Sequence, residues 1–206
     1  MIAVVDYGAG NLQSVLNAFE AIGQKAAVVD EPAALAKASA IVLPGVGAFG
    51  DAMAALRQRN LLAGLREQVL ERKKPYLGIC LGLQLLAQES AEHGIHQGLS
   101  WIDGTVQRIR PEGGQFRVPH IGWNTIRIER ECPLFNGLED EPTFYFVHSY
   151  HLVVHEHMAQ VVTASCWHGT TLTASVQHNH IYGVQFHPEK SQRNGLRVLE
   201  NFVSLI

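Results

Sequence analysis

No stretch of this chain is apolar for long enough to span a bilayer, and no long run of like charge occurs. The 16 Lys and Arg stand against 19 Asp and Glu, so the basic excess that nucleic-acid binding needs is missing. Cysteine is scarce. Cys80, Cys132 and Cys166 are odd in number and far apart, which argues against a disulfide framework and for a reducing compartment. The opening residues, Ile2-Ala3-Val4-Val5-Asp6, lack the basic start and cleavage site of a secretory leader and read as a strand. Repeats and low-complexity linkers are absent too. The expectation is a cytoplasmic protein with neither nucleic acid nor membrane as partner. Its 206 residues suffice for one domain, 1–206, with a substantial core.

What stands out against these absences is Lys74 to Glu89. Pro75-Tyr76-Leu77-Gly78-Ile79-Cys80 reads as a buried strand, and Leu81-Gly82-Leu83-Gln84-Leu85-Leu86 as the helix after it, with leucines at helical spacing. Cys80 sits at the join, with Gly78 two positions before and Gly82 two after. This is the nucleophile-elbow pattern with cysteine in place of serine. A sharp strand-to-helix turn strains the nucleophile's backbone, and side chains at Gly78 or Gly82 would collide with the facing segment. Free N–H groups at the start of the helix would face negative charge developing near the sulfur. Cys132 and Cys166 lack such neighbours and read as inert, buried small residues.

Strands alternate with helices through the first half: Ile2–Val5, a helical face of Leu12, Val15, Leu16, Phe19 and Ile22, then strands Lys25–Val29 and Ala40–Leu43. Asn11 is the expected cap of the first helix. Gly8-Ala9-Gly10 lacks the third glycine of a dinucleotide loop, where Gln13 stands, and reads as a tight connection. Gly45-Val46-Gly47 follows the third strand, at the carboxyl edge where open α/β sheets keep their ligand crevice. Helical segments run from Asp51 to Arg72. The prediction is a largely parallel sheet with helices on both faces. The second half carries short strand-like runs, Thr105–Ile109, Thr125–Ile128, Phe144–Val147, Val161–Ala164, Leu172–Val176 and Ile181–Gln185, and predicts an antiparallel addition. A helix over Arg193–Leu205, with Leu196, Leu199 and Val203 inward, closes the chain.

A cysteine nucleophile needs a base, and Phe186-His187-Pro188-Glu189 offers one. Proline biases His187 to an extended backbone, which projects residues two apart to one side. Glu189 can then fix the His187 tautomer and leave the other ring nitrogen for the thiol. With eleven histidines in the chain, proximity alone is weak evidence. The pairs His155/His157 and His178/His180 have no Cys or carboxylate cluster to complete a metal site, and read as solvated strand residues. No metal or other cofactor is expected.

Gly78-Ile79-Cys80-Leu81-Gly82-Leu83-Gln84 together with His187-Pro188-Glu189 resembles the class I, or triad, glutamine amidotransferases. Three further stretches resemble one branch of that family, the glutaminase subunits of imidazole glycerol phosphate synthase: Asp6-Tyr7-Gly8-Ala9-Gly10-Asn11-Leu12, Pro119-His120-Ile121-Gly122-Trp123-Asn124 and Tyr145-Phe146-Val147-His148-Ser149-Tyr150. The resemblance runs from Ile2 to the end of the chain and implies a flavodoxin-like amidotransferase fold. It implies that Cys80 attacks L-glutamine, with His187 and Glu189 as base and orienter. It places Val46, Gly47 and Leu81 at the oxyanion, and Gly45, Gln84, Ser149 and Tyr150 around the substrate. It further implies a separate (β/α)8-barrel cyclase as heterodimer partner, met by Trp123 and Lys190, which takes the ammonia for histidine biosynthesis. Trp123 also reads as a core aromatic.

Two kinds of rival remain. One is another triad glutaminase, such as that serving pyridoxal phosphate synthesis, or a gamma-glutamyl hydrolase; the stretches Pro119–Asn124 and Tyr145–Tyr150 speak against both. The other is a non-catalytic, flavodoxin-like module whose Cys80 senses redox state.

Overall fold

The structure, a computed structural model, describes residues 1–206. Its first half is the expected alternation: β1 (Ile2–Val5), α1 (Leu12–Ala21), β2 (Ala26–Val29), α2 (Pro32–Leu35), β3 (Ala40–Gly45), α3 (Phe49–Gln58), α4 (Leu61–Arg66), then β4 (Tyr76–Cys80). Asn11 caps α1, its side chain accepting from the Ser14 N–H at 3.2 Å. The α1 connection turns through Gly8 at φ +96° and Gly10 at φ +120°, backbone conformations that favour glycine.

In β1, Ala3 and Val5 enter one apolar layer while Ile2 and Val4 enter the other. Ile41 and Leu43 alternate with Ala40 and Val42 in the same way along β3. The sheet is therefore covered on both faces, which is why its strands are continuously apolar in sequence.

The second half contains β5 (Glu89–Ser90), β6 (His96–Gln97), β7 (Gly104–Arg108), β8 (His120–Ile128), β9 (Thr143–His148), β10 (Tyr150–Val154), β11 (Val162–Trp167), β12 (Thr171–His178) and β13 (Ile181–Val184). The nine-stranded main sheet has the order β2-β1-β3-β4-β13-β12-β11-β8-β9. Its first five strands are parallel, and from β12 onward each neighbour is antiparallel. The late strand β13 thus returns to the centre and lies beside β4, Val184 against Ile79. A second sheet, β10-β7-β5-β6, was not expected from the sequence. The closing helix α6 (Gln192–Val203) buries Val198, Leu199 and Phe202, with Leu196 and Val203 at its margin.

Two expectations need correction. The helix after Cys80, α5, is four residues long, Leu81–Gln84. Residues 99–102 fold back and donate their N–H groups to the carbonyls of Leu85, Leu86 and Ala87, satisfying groups that a longer helix would have used. And β8 begins at His120, five residues before the predicted strand, because Ile121 and Trp123 point outward, reversing the apolar-inward alternation that signals a half-buried strand.

Candidate active site

Cys80 ends β4 in the middle of the main sheet, with φ 53° and ψ −104°. Few non-glycine residues adopt such a backbone, and it survives because the surroundings leave no alternative. A Cβ on Gly82 would overlap the Leu43 carbonyl, and one on Gly78 would overlap the Gly82 carbonyl. The buried Tyr76 hydroxyl donates to the Gly82 carbonyl at 3.1 Å and ties the strand to the turn. Gly45 faces Cys80 in the β3–β4 register, so the Gly45-Val46-Gly47 loop springs from beside the thiol. Four residues carry little macrodipole. What α5 supplies is the local, intrahelically unpartnered N–H of Leu81.

His187 follows β13, and the register that sets β13 against β4 carries it to the same edge. Its backbone is extended, φ −100° and ψ 96°, and its ring Nδ1 donates to Glu189 Oε1 at 2.7 Å. Both side chains are almost fully buried, 4% and 3% exposed. Burial opposes charge on His187, but Cys80 and then Glu189 outweigh it and raise its pKa to about 10. Its Nε2 is buried with no hydrogen-bond partner. The loop is braced from behind. Ser191 Oγ donates to the His187 carbonyl at 2.6 Å, and accepts from the Tyr145 N–H at 3.0 Å.

A pocket of about 320 Å³ opens at the thiol, lined by Val46, Gly47, Cys80, Leu81, Gln84, Glu92, Pro119, Val147, His148, Ser149 and Tyr150. Of the residues placed at the oxyanion or substrate from the sequence, all but Gly45 line it, and Gly45 adjoins. Gln84 Nε2 donates both protons within the wall, to the Tyr150 carbonyl at 2.8 Å and to Gln185 Oε1 at 3.1 Å. Its own carbonyl oxygen is left for a ligand.

Two site residues escaped the sequence reading. Glu92 is the single carboxylate among the lining residues. Its Oε2 accepts from the Phe49 N–H at 2.7 Å, which leaves the other oxygen. Nothing in its neighbourhood in sequence marked it. Gln185 is wholly buried and donates to Cys80 Sγ at 3.6 Å. A polar residue closing an apolar strand just before His187 was a usable signal.

Larger depressions, of about 450 and 630 Å³, reach Cys166 and Cys132. Burial pushes the Cys166 thiol up to about 12 and raises that of Cys132, and no histidine is hydrogen-bonded to either. The histidine pairs are also accounted for. His155 and His157 flank the Asp103 carboxylate at 2.8 and 2.6 Å. His178 and His180 bond the Trp101 and Val69 carbonyls. His155 and His157 are solvated, at 42% and 66% side-chain exposure, but lie off any strand, and His178 and His180 are half-buried. Trp123, at 50% exposure, is not a core aromatic. It meets Tyr145 edge to face, and Lys190 Nζ sits 5.8 Å over the Tyr145 ring.

The sequence model of the family described as Glutamine amidotransferase class-I matches residues 3–205. The chain is 48% identical over 206 residues to "Imidazole glycerol phosphate synthase subunit HisH" of Syntrophotalea carbinolica, covering 98% of each. It is 50% identical over 210 residues to the protein of the same name from Methanothermobacter thermautotrophicus, covering 100% of this chain and 99% of that one. The chain belongs to the class-I glutamine amidotransferases, in the branch of the HisH subunits. Among solved structures, PurLQS from Thermotoga maritima superposes with a TM-score of 0.74 at 20% identity, covering 99% of this chain and 97% of that one. That likeness shows an amidotransferase fold, here a mixed sheet flanked by helices. As a class-I amidotransferase, the chain is an enzyme. No helix is long and apolar enough to cross a membrane.

Proposed function

We propose that this chain is the glutaminase of an imidazole glycerol phosphate synthase, acting in the cytoplasm as one amidotransferase domain over residues 1–206. The observation that carries the site assignment is that β13, paired with β4, brings the buried His187–Glu189 pair to the edge of the sheet where Cys80 stands, more than a hundred positions away in sequence. Cys80 Sγ attacks the side-chain amide carbon of glutamine. The N–H groups of Leu81 and of the Val46-Gly47 loop receive the oxyanion. His187 carries the proton given up by the thiol and delivers it to the departing ammonia, while Glu189 holds its Nδ1–H. Water then hydrolyses the glutamyl thioester, with His187 as base. Gln84, Glu92 and the Ser149-Tyr150 backbone hold the amino-acid end, the free Glu92 oxygen suiting an α-ammonium.

The partner is a (β/α)8-barrel cyclase that receives the ammonia. Ile121 and Trp123 on β8, with Lys190 over Tyr145, form its seat. Ile121 and Trp123 are large apolar side chains at 59% and 50% exposure on adjacent outward positions of one strand. Gly47 stands at φ +100°, a backbone that glycine adopts without strain. The resemblance to the HisH subunits implies that the uncoupled chain is nearly idle, with the partner and its ligand favouring the productive loop. Ammonia release from glutamine, measured with and without the barrel subunit and its ligand, tests the reading. Turnover unchanged by the partner contradicts the coupling, and no turnover in either case contradicts the glutaminase.

A further inference from the structure

His120 opens β8 and His148 closes β9, directly opposite each other in the register. Both are buried, at 3% and 6% exposure. Their ring protons can be placed by elimination. His148 Nδ1 lies 2.9 Å from the Tyr150 carbonyl, which only accepts, so Nδ1 carries the proton. In a neutral ring His148 Nε2 is then an acceptor, and His120 Nδ1, 2.9 Å away, is its donor. His120 Nε2 is in turn bare and accepts from Asn124 Nδ2 at 3.1 Å. The second Asn124 amide proton goes to the Trp167 carbonyl at 2.9 Å, which fixes the orientation of that amide. A further proton on either ring would set two donors against each other. Phe146 and His168 stack on His120, with centroids at 4.7 and 4.2 Å, and hold the ring plane.

The same Tyr150 carbonyl accepts from Gln84, Gln84 bonds Gln185, and Gln185 reaches the Cys80 sulfur. An unbroken run of hydrogen bonds thus joins Asn124 on β8 to the thiol, with the two histidines in its middle.

We propose that His120 and His148 are positioning residues for glutamine cleavage: a neutral pair, each ring locked as the Nδ1–H tautomer, that holds the Tyr150 carbonyl against Gln84 and so sets the wall of the glutamine pocket. The proposal rests on the glutaminase reading above. His148 lines the pocket, but neither ring is hydrogen-bonded to Cys80. Their effect runs through Tyr150 and Gln84, so it falls on the binding of glutamine more than on bond cleavage.

Nitrogen-detected NMR of the histidine rings in the intact chain, and glutamine kinetics of the chain with its cyclase, test it together. At pH 7 both rings should be neutral with the proton on Nδ1; an Nε2–H tautomer at either overturns the proposal. His148→Ala is expected to raise KM for glutamine roughly tenfold, with kcat changed less than about threefold. His148→Asn keeps a donor where Nδ1–H stood but cannot reach His120, and should recover most of the lost affinity. Equal KM values for the two variants, or a fall in kcat with KM unmoved, overturns the positioning role. If His148→Ala does not fold, His148→Asn and the tautomers still decide. A wild-type complex that leaves glutamine untouched would sink the glutaminase reading itself, and the NMR result tells that failure from a misplaced proton in the pair.

Discussion

The five parallel strands and the four antiparallel ones bury their side chains by different rules. β1, β3, β4 and β13 are buried along their whole length, apolar to both faces. β8 and β9 instead carry Ile121, Trp123 and Tyr145 toward solvent, and turn histidines, His120 and His148, inward. A sheet covered on both sides by its own helices needs no outside partner. The antiparallel edge has one face that its own chain leaves bare. The parallel half builds a rigid elbow at Cys80, and the antiparallel half brings the pocket wall and the face proposed for the partner. The base reaches the elbow because β13 crosses back into the parallel set.

The difference is sharpest in what each region tolerates. Cys80→Ala or His187→Ala should cost on the order of 10⁴-fold or more in glutaminase turnover while leaving the fold intact, as ammonia assays and circular dichroism would show. Gly82→Ala, in the parallel half, forces a side chain against the Leu43 carbonyl, which is backbone and cannot yield. It should destabilise by about 3 kcal/mol or more in denaturant titration. Gly137→Ala, in the antiparallel half, has φ +72° but open space around it, and should cost about 1 kcal/mol. Equal losses at the two glycines would erase the contrast.

The buried histidines give the two regions opposite responses to pH. Burial lowers His120 to about 4 and His148 to about 3, both in the antiparallel half, and His151, on β10 of the second sheet, to about 4. The unfolded chain binds protons that these rings refuse, so their contribution is present above pH 6.5 and is lost as pH falls toward 4 and 3. His187, raised to about 10, contributes fully below pH 6.5 and loses that contribution as pH rises toward 10. Stability should peak near pH 6 to 7 and fall on both sides. For a well-buried ring, each tenfold difference in proton affinity between the folded and unfolded chain is worth roughly 1.4 kcal/mol. His148→Asn should flatten the acid limb only. Trp123→Ala should be the mildest for the fold, within about 0.5 kcal/mol, yet weaken cyclase binding by about 2 kcal/mol in calorimetry. A Trp123→Ala variant that binds as well as wild type would move the seat elsewhere.

The same contrast decides what could be read from the sequence. β1, β3 and β4 were legible because burial on both faces leaves an uninterrupted apolar run. The turn at Cys80 and the His187–Glu189 hydrogen bond were legible because the elbow needs its glycines, and because the two side chains stand two residues apart on an extended backbone. The start of β8 was not, since a strand with Ile121 and Trp123 outward and His120 inward inverts the usual pattern. The extent of α5 was hidden because residues 99–102, distant in sequence, take the carbonyls that would have continued it. Glu92 was invisible for the same reason: its carboxylate becomes part of the pocket only through the fold that sets it against Phe49.

The most direct test is to quench the complex with acid during glutamine turnover and map the chain by mass spectrometry. A glutamyl group on Cys80, absent from the Cys80→Ser variant, is the predicted result. Rapid turnover with no covalent species on Cys80, or undiminished turnover by Cys80→Ser, would contradict it.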